Sequence, residues 1–163
     1  MANSKIVSEV KDSVIKAITR DEAITTAIDA PECEAPSDYV GTHVFRYNKN
    51  PNTITQTITF LTVMVHTTAN DKIGLYLKPT IEIWIYSHND HMDLRDGEIP
   101  GITDDRNTYI SELIDLKING SRDFGGIGEW RLMANTEGTY NEKFLCRKMI
   151  FENLDTNKSL CGR

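Results

Sequence analysis

The sequence predicts an α+β domain, with an antiparallel or mixed sheet of about four strands, built from two hairpins and covered by helices. Three observations predict it. Apolar residues recur at helical spacing near the N-terminus and again after residue 103. Long Thr/Ile/Val-rich runs between them alternate polar and apolar side chains. The strand patterns come in pairs, giving the order ααββαββ, where a doubly wound nucleotide-binding fold would alternate strand with helix. A length of 163 residues fits a single domain, expected over 1–155, with a flexible polar tail at 156–163.

In residues 5–19, Ile6, Val7, Val10, Val14, Ala17 and Ile18 fall in a sector of roughly 120° on a helical wheel. That predicts an amphipathic helix, capped by Ser4 or Asn3. Asp21 reads as a fresh N-cap for a short second helix carrying Ala23, Ile24, Ala27 and Ile28, stopped by Pro31. Residues 31–52 hold three of the five prolines and are expected to form a long loop, with a short strand at Thr42–Tyr47. Asn48-Lys-Asn-Pro-Asn52 has the composition of a turn.

From Thr53 to His66, Ile54, Ile58 and Phe60 alternate with Thr55, Thr57 and Thr59, the period of a strand. Thr67–Lys78 is a polar connector. Ile81, Ile83 and Ile85 then alternate with Glu82 and Trp84 up to Tyr86, completing an antiparallel hairpin. A polar stretch, Ser87–Thr103, leads to a third helix, Asp104–Ile118. Its cap is Thr103 or Asp104, its buried face is marked by Tyr109, Ile110, Leu113 and Leu116, and Asn119-Gly120 ends it. Two short strands close the domain, Glu129–Ala134 and Phe144–Asn153, with a turn over Asn135–Glu142.

Composition excludes several function classes. The formal charge is −6, with 18 Lys and Arg scattered in no dense run, which disfavours direct binding to phosphate backbones. Cys33, Cys146 and Cys161 show no CxxC or Cys/His zinc spacing, so reduced thiols in a cytosolic setting are expected. Met1–Glu9 lacks the apolar stretch of a signal peptide, and no run approaches a membrane span.

The candidate chemistry is sparse. His88, Asp90, His91, Asp93 and Asp96 crowd donor groups that suit a transition metal. HExxH and EF-hand spacing are both absent, so no metal is expected. If one is held, His88, Asp90, His91 and Asp93 are its ligands, and a metal-dependent hydrolase or nuclease working from residues 88–96 is the alternative function. Phe124-Gly-Gly-Ile-Gly128 follows a helix and precedes a strand. A phosphate cradle needs the reverse order, so these glycines are expected to make a tight corner. Glu82, Asp104, Asp105, Glu112 and Asp115 could form a nuclease cluster, but the helical four read more simply as dipole-complementing and solvent-facing residues. No GxSxG or SxxK nucleophile motif occurs. Catalytic residues and a cofactor are therefore not expected, and the chain is read as no enzyme.

Two features point to contacts with other chains. Trp84 and Tyr86 share a strand face with Glu82, and aromatics on a polar sheet face favour an interface. Both long connectors, Thr67–Lys78 and Ser87–Thr103, leave the same hairpin, as contact loops do. The expected interface residues are Asn70, Asp71, Lys72, Trp84, Tyr86, His91, Asp93 and Arg95.

The amphipathic first helix, the Thr/Ile-rich hairpin, the helix Asp105-Arg-Asn-Thr-Tyr-Ile-Ser-Glu-Leu-Ile-Asp115, the segment Gly120-Ser-Arg-Asp-Phe-Gly-Gly-Ile-Gly-Glu-Trp-Arg-Leu132 and the last strand ending near Asp155 together resemble neck proteins of tailed bacteriophages. The similarity is to the tail terminator and head–tail joining (connector) group, over about residues 3–155. It is a resemblance of architecture and texture, without a diagnostic motif. It implies a virion structural protein made in the host cytoplasm, acting as one subunit of a homo-oligomeric ring, usually hexameric for terminators and dodecameric for some connectors. Other neck, portal and tail proteins would be its partners, with DNA passing through the lumen and no membrane contact. The group has no catalytic residues to carry over. A small regulatory binding module is a third reading.

Overall fold

The computed structural model describes residues 5–69, 77–94, 99–102 and 104–153. Its elements, in chain order, are α1 (Lys5–Thr19), α2 (Glu22–Ile28), α3 (Pro36–Tyr39), β1 (Val44–Phe45), β2 (Thr59–Ala69), β3 (Leu77–His88), α4 (Arg106–Ile118), β4 (Trp130–Thr139) and β5 (Phe144–Asn153). The sheet has five strands in the order β1-β2-β3-β5-β4. It is mixed because β1 runs parallel to β2, while the other neighbours are antiparallel. The α+β class and both hairpins match the sequence expectation, and the fifth strand lies within the short strand expected at 42–47.

Period-two alternation divides the sheet into two faces. Leu61, Val63 and Val65 on β2, Ile81, Ile83 and Ile85 on β3, and Met149 and Phe151 on β5 form one core with the apolar stripes of α1, α2 and α4. Every long helix therefore covers the same face. The opposite face carries a smaller aromatic cluster of Phe45, Phe60, Tyr86, Phe144 and Cys146, with Ile54, Ile58 and Trp84 against it.

α1 spans the expected residues, and its expected caps, Asn3 and Ser4, lie outside the described residues. Asp21 caps α2 as expected, its carboxylate accepting from the Ile24 N–H at 3.0 Å. α2 ends at Asp29, a non-glycine residue with φ +58°, before Pro31 is reached. Gly125 supports the expected glycine corner. Its φ is +75°, and a Cβ there would stand 2.5 Å from Val10 Cγ2, so the corner is seated directly on α1.

Four expectations need correction. The strand expected from Thr53 begins at Thr59, because Pro51–Thr53 forms a 3-10 turn capped by the Asn50 side chain. Ile54 and Ile58 pack on the aromatic cluster, so their spacing records a segment lying across the second face. A four-residue helix, α3, occupies part of the expected loop, started by Pro36 and held by Asp38, whose carboxylate accepts from the Ala35 N–H at 2.8 Å. β4 continues to Thr139 through residues expected to turn, since a strand at a sheet edge tolerates Asn, Thr, Glu and Gly. The turn lies further on, where Asn141 Oδ1 accepts from the N–H groups of Lys143 and Phe144, both at 2.8 Å.

The fourth correction concerns α4. Its cap is Asp105, which accepts from the Thr108 N–H at 2.9 Å. Its buried side is Arg106, Asn107, Ile110, Ser111, Ile114 and Ile118, whereas Leu116 is 82% exposed. Tyr109 and Leu113 sit half-buried at the margin of the core. Polar residues inside the helix interface displaced the stripe that apolar spacing alone suggested.

Candidate functional site

The face of the sheet without helices carries a cleft of about 510 Å³. β3 delivers Glu82, Trp84 and Tyr86 to it, because these alternate with the three isoleucines of the helix-covered face. Trp84 and Tyr86 stack with centroids 5.9 Å apart and planes inclined by 10°, and Tyr86 stacks in turn on Phe60 at 4.9 Å. Tyr140, from the β4–β5 turn, meets Tyr86 edge-on at 5.7 Å. Tyr86 is 2% exposed, and burial, followed by its neighbours Cys146, Tyr140 and Glu82, raises the pKa of its hydroxyl well above that of a free tyrosine. Trp84 retains surface on the cleft.

Glu82 is the polar centre of this face. Its carboxylate accepts from Trp84 Nε1 at 2.7 Å and lies 2.9 Å from His66 Nε2, with Lys148 Nζ at 3.7 Å. Lys148 also sits 5.3 Å above the Trp84 ring. Trp84 and His66 thus hold the carboxylate on the sheet face, with the Lys148 ammonium nearby.

Among the described residues, His88, Asp90, His91 and Asp93 do not bring three ligand atoms to one point. His88 Nδ1 accepts from the Asp90 N–H at 3.1 Å and lies 3.7 Å from that residue's carboxylate. His91 turns away, placing Nδ1 2.7 Å from Thr59 Oγ1 and Nε2 3.2 Å from Asp29 Oδ2. Asp93 is exposed and pairs through its backbone with Asp105. Among the described residues, three ligand atoms within 4.8 Å of one another occur at Glu32, Cys33 and His43 instead. Asn70, Asp71, Lys72, Arg95 and Asp96 lie outside the described residues.

Asp29, His91 and Thr59 have the composition of a catalytic triad, but the hydrogen bonds run the wrong way. Ser87 Oγ donates to Asn107 Oδ1 at 2.7 Å. The Thr59 hydroxyl, 2.7 Å from Ser87 Oγ, must then donate to Ser87 and accept from His91. A nucleophile needs its proton aimed at the imidazole lone pair. Thr59 is also fully buried, so the network locks β2 to β3 and α4. Arg106, 1% exposed, extends it by donating to the carbonyls of His91 and Ala27, both at 2.6 Å. Nothing in the spacing of these residues signals that they meet.

The acidic residues weighed as a nuclease cluster do not share a site. Glu82 lies on the open face, while Asp105 is spent as the α4 cap. Neither described cysteine is primed as a nucleophile. Burial raises the thiol pKa of Cys33, despite an opposing hydrogen bond from Thr42, and Cys146 is raised by burial as well.

Fold and face together define a small α+β domain with a mixed sheet, its helices on one side and an aromatic, internally satisfied polar cleft on the other. The chain belongs to the YomW family, whose model matches residues 12–153. That family name is phage-derived and hints at a phage origin, without specifying a place in the neck or tail. No curated protein and no solved structure matches the chain. No helix among the described residues is long and apolar enough to cross a membrane.

Proposed function

We propose that this chain is a structural subunit that assembles into a ring in the neck of a tailed phage. As a tail terminator or head–tail connector, it would join the capsid portal to the tail. The observation that carries this reading is the edge of β4. β4 is the last strand of the sheet and, among the described residues, pairs on one side only. Its first outward groups are already capped. Trp130 N–H donates to Ser121 O at 3.0 Å and Gly120 N–H to Trp130 O at 2.7 Å, while Leu132 N–H donates to Asn119 Oδ1 at 3.1 Å.

Beyond a bulge between Leu132 and Ala134, residues 134–139 have no outward backbone partner among the described residues. Met133, within that bulge, is 55% exposed. An open strand edge beside an exposed apolar side chain is a template for a neighbouring strand. Identical subunits that each offer such an edge to a different surface of the next copy close into a ring when the rotation permits. The phage-derived family name and the sequence resemblance to neck proteins add to the same reading. The net charge of −6 suits a lumen through which DNA slides without sticking.

Lysines at Met133 and Thr136, both exposed, would block the edge, because a neighbouring strand would have to desolvate their charges. The M133K/T136K double variant should elute as a monomer with an unchanged circular dichroism spectrum, whereas the parent assembles. Equal masses for parent and variant by light scattering would remove the edge from the argument.

A further inference from the structure

We infer that Glu32, Cys33 and His43 form a binding site for a borderline divalent transition-metal cation of the Zn²⁺ class. The site lies on the strap that joins α2 to β1. Each residue offers one ligand atom, and the three atoms lie within 4.8 Å of one another. Nitrogen, thiolate sulfur and carboxylate oxygen together match the donor preferences of zinc and cobalt(II), and disfavour magnesium and calcium.

The histidine supplies the observation that points to a ligand. His43 is 2% exposed, and its Nδ1–H donates to the Thr59 carbonyl at 2.8 Å. That bond fixes the ring orientation and leaves the Nε2 lone pair aimed outward, the arrangement by which metal-binding histidines are held in place. Nε2 meets Glu32 Oε1 at 2.5 Å, so imidazole and carboxylate already face one another. Cys33 is half-buried beside them, and Thr42 Oγ1, 3.8 Å from its sulfur, can turn its O–H from the Asp38 carbonyl towards a thiolate.

Tetrahedral coordination with bonds of about 2.0–2.3 Å sets ligand atoms roughly 3.3–3.8 Å apart. Glu32, with a side chain 60% exposed, can swing to that spacing while the buried histidine stays fixed. As the cation binds, bonds to Nε2, Oε1 and Sγ form, the protons those ligand atoms carry pass to solvent, and water takes the fourth position. No oxidation is involved. The site is independent of ring assembly, since no residue of β4 takes part. Sequence spacing gave no sign of it, because the nine residues between Cys33 and His43 match no zinc motif.

Cobalt(II) titrated into the full, reduced chain tests the proposal. The expected result is a near-ultraviolet sulfur-to-cobalt charge-transfer band that saturates at one equivalent and is abolished by one equivalent of Zn²⁺. Cys33→Ser should lose the band. Glu32→Gln should weaken binding at least about 10-fold, and His88→Gln should leave the titration unchanged. No band in the parent chain would overturn the site. So would a band that survives Cys33→Ser, one that is lost in His88→Gln, or an affinity that Glu32→Gln leaves unaltered.

Discussion

Arg106 sits 1% exposed under α4, where its guanidinium holds the carbonyls of Ala27 and His91. A charged donor to a buried acceptor contributes roughly 1.5–3 kcal/mol, and truncation also leaves the acceptors unsatisfied. Arg106→Ala should therefore lower unfolding free energy by about 3 kcal/mol or more in urea titrations. A loss below about 1 kcal/mol would show that water replaces the side chain. Asp21 behaves differently. Burial alone would raise its pKa, but hydrogen bonds from Lys117 and from the N–H groups of Ile24 and Ala23 outweigh that and lower it. A depressed carboxylate pKa stabilises the fold above the unfolded value of about 3.9, and that contribution is lost as pH falls through the folded value. Asp21→Ala should cost about 1 kcal/mol at neutral pH, and the difference from the parent should shrink as pH falls below about 4. A cost that stays constant through that range would mean the charge of Asp21 contributes nothing. Asp21 was legible in the sequence because a cap is a local device. Arg106 was not, because its partners are 79 and 15 residues away.

Helix α4 shows where periodicity succeeds and where it fails. Its existence and C-terminus followed from apolar spacing and from Asn119-Gly120, yet its rotation did not. Asn107 and Ser111 face inward because Ser87, Leu145 and Asn135 are there to bond them, and a polar residue with a buried partner is invisible to a hydrophobic pattern. Leu116 consequently projects into solvent. Ile114→Ala should cost roughly 2–5 kcal/mol, whereas Leu116→Ala should lie within about 0.5 kcal/mol of the parent. Chemical denaturation of both variants checks the rotation, and a reversed order of cost would contradict it. β4 failed for the complementary reason. Its polar residues looked like a turn, but an edge strand exposed to solvent has no need of an apolar run. In the hairpin β2–β3 the alternation over Leu61–His66 and Ile81–Tyr86 was read correctly, since helices bury one face there, whereas Thr67–Ala69 and Leu77–Lys78, expected in the connector, belong to the strands.

The molecule has two unlike sheet edges. The first is β1, two residues long and tied to α1 by the Arg46–Asp12 ion pair beside it, and past Thr62 the same edge is formed by β2. β4 offers six residues beyond its bulge and one exposed methionine. Helices cover one face, and the aromatic cleft remains on the other. This asymmetry suits a subunit that presents one surface to the preceding copy and a different one to the next. The sequence alone indicated contact loops around the β2–β3 hairpin. The edge at 134–139 emerged only from topology, since strand order is a long-range property. Electron microscopy of the purified chain, alone and mixed with neck and tail proteins, tests this most directly. Closed rings in which β4 of each subunit lies against its neighbour are predicted. A chain that stays monomeric at every concentration, and remains so in the presence of those partners, would contradict assembly as its purpose.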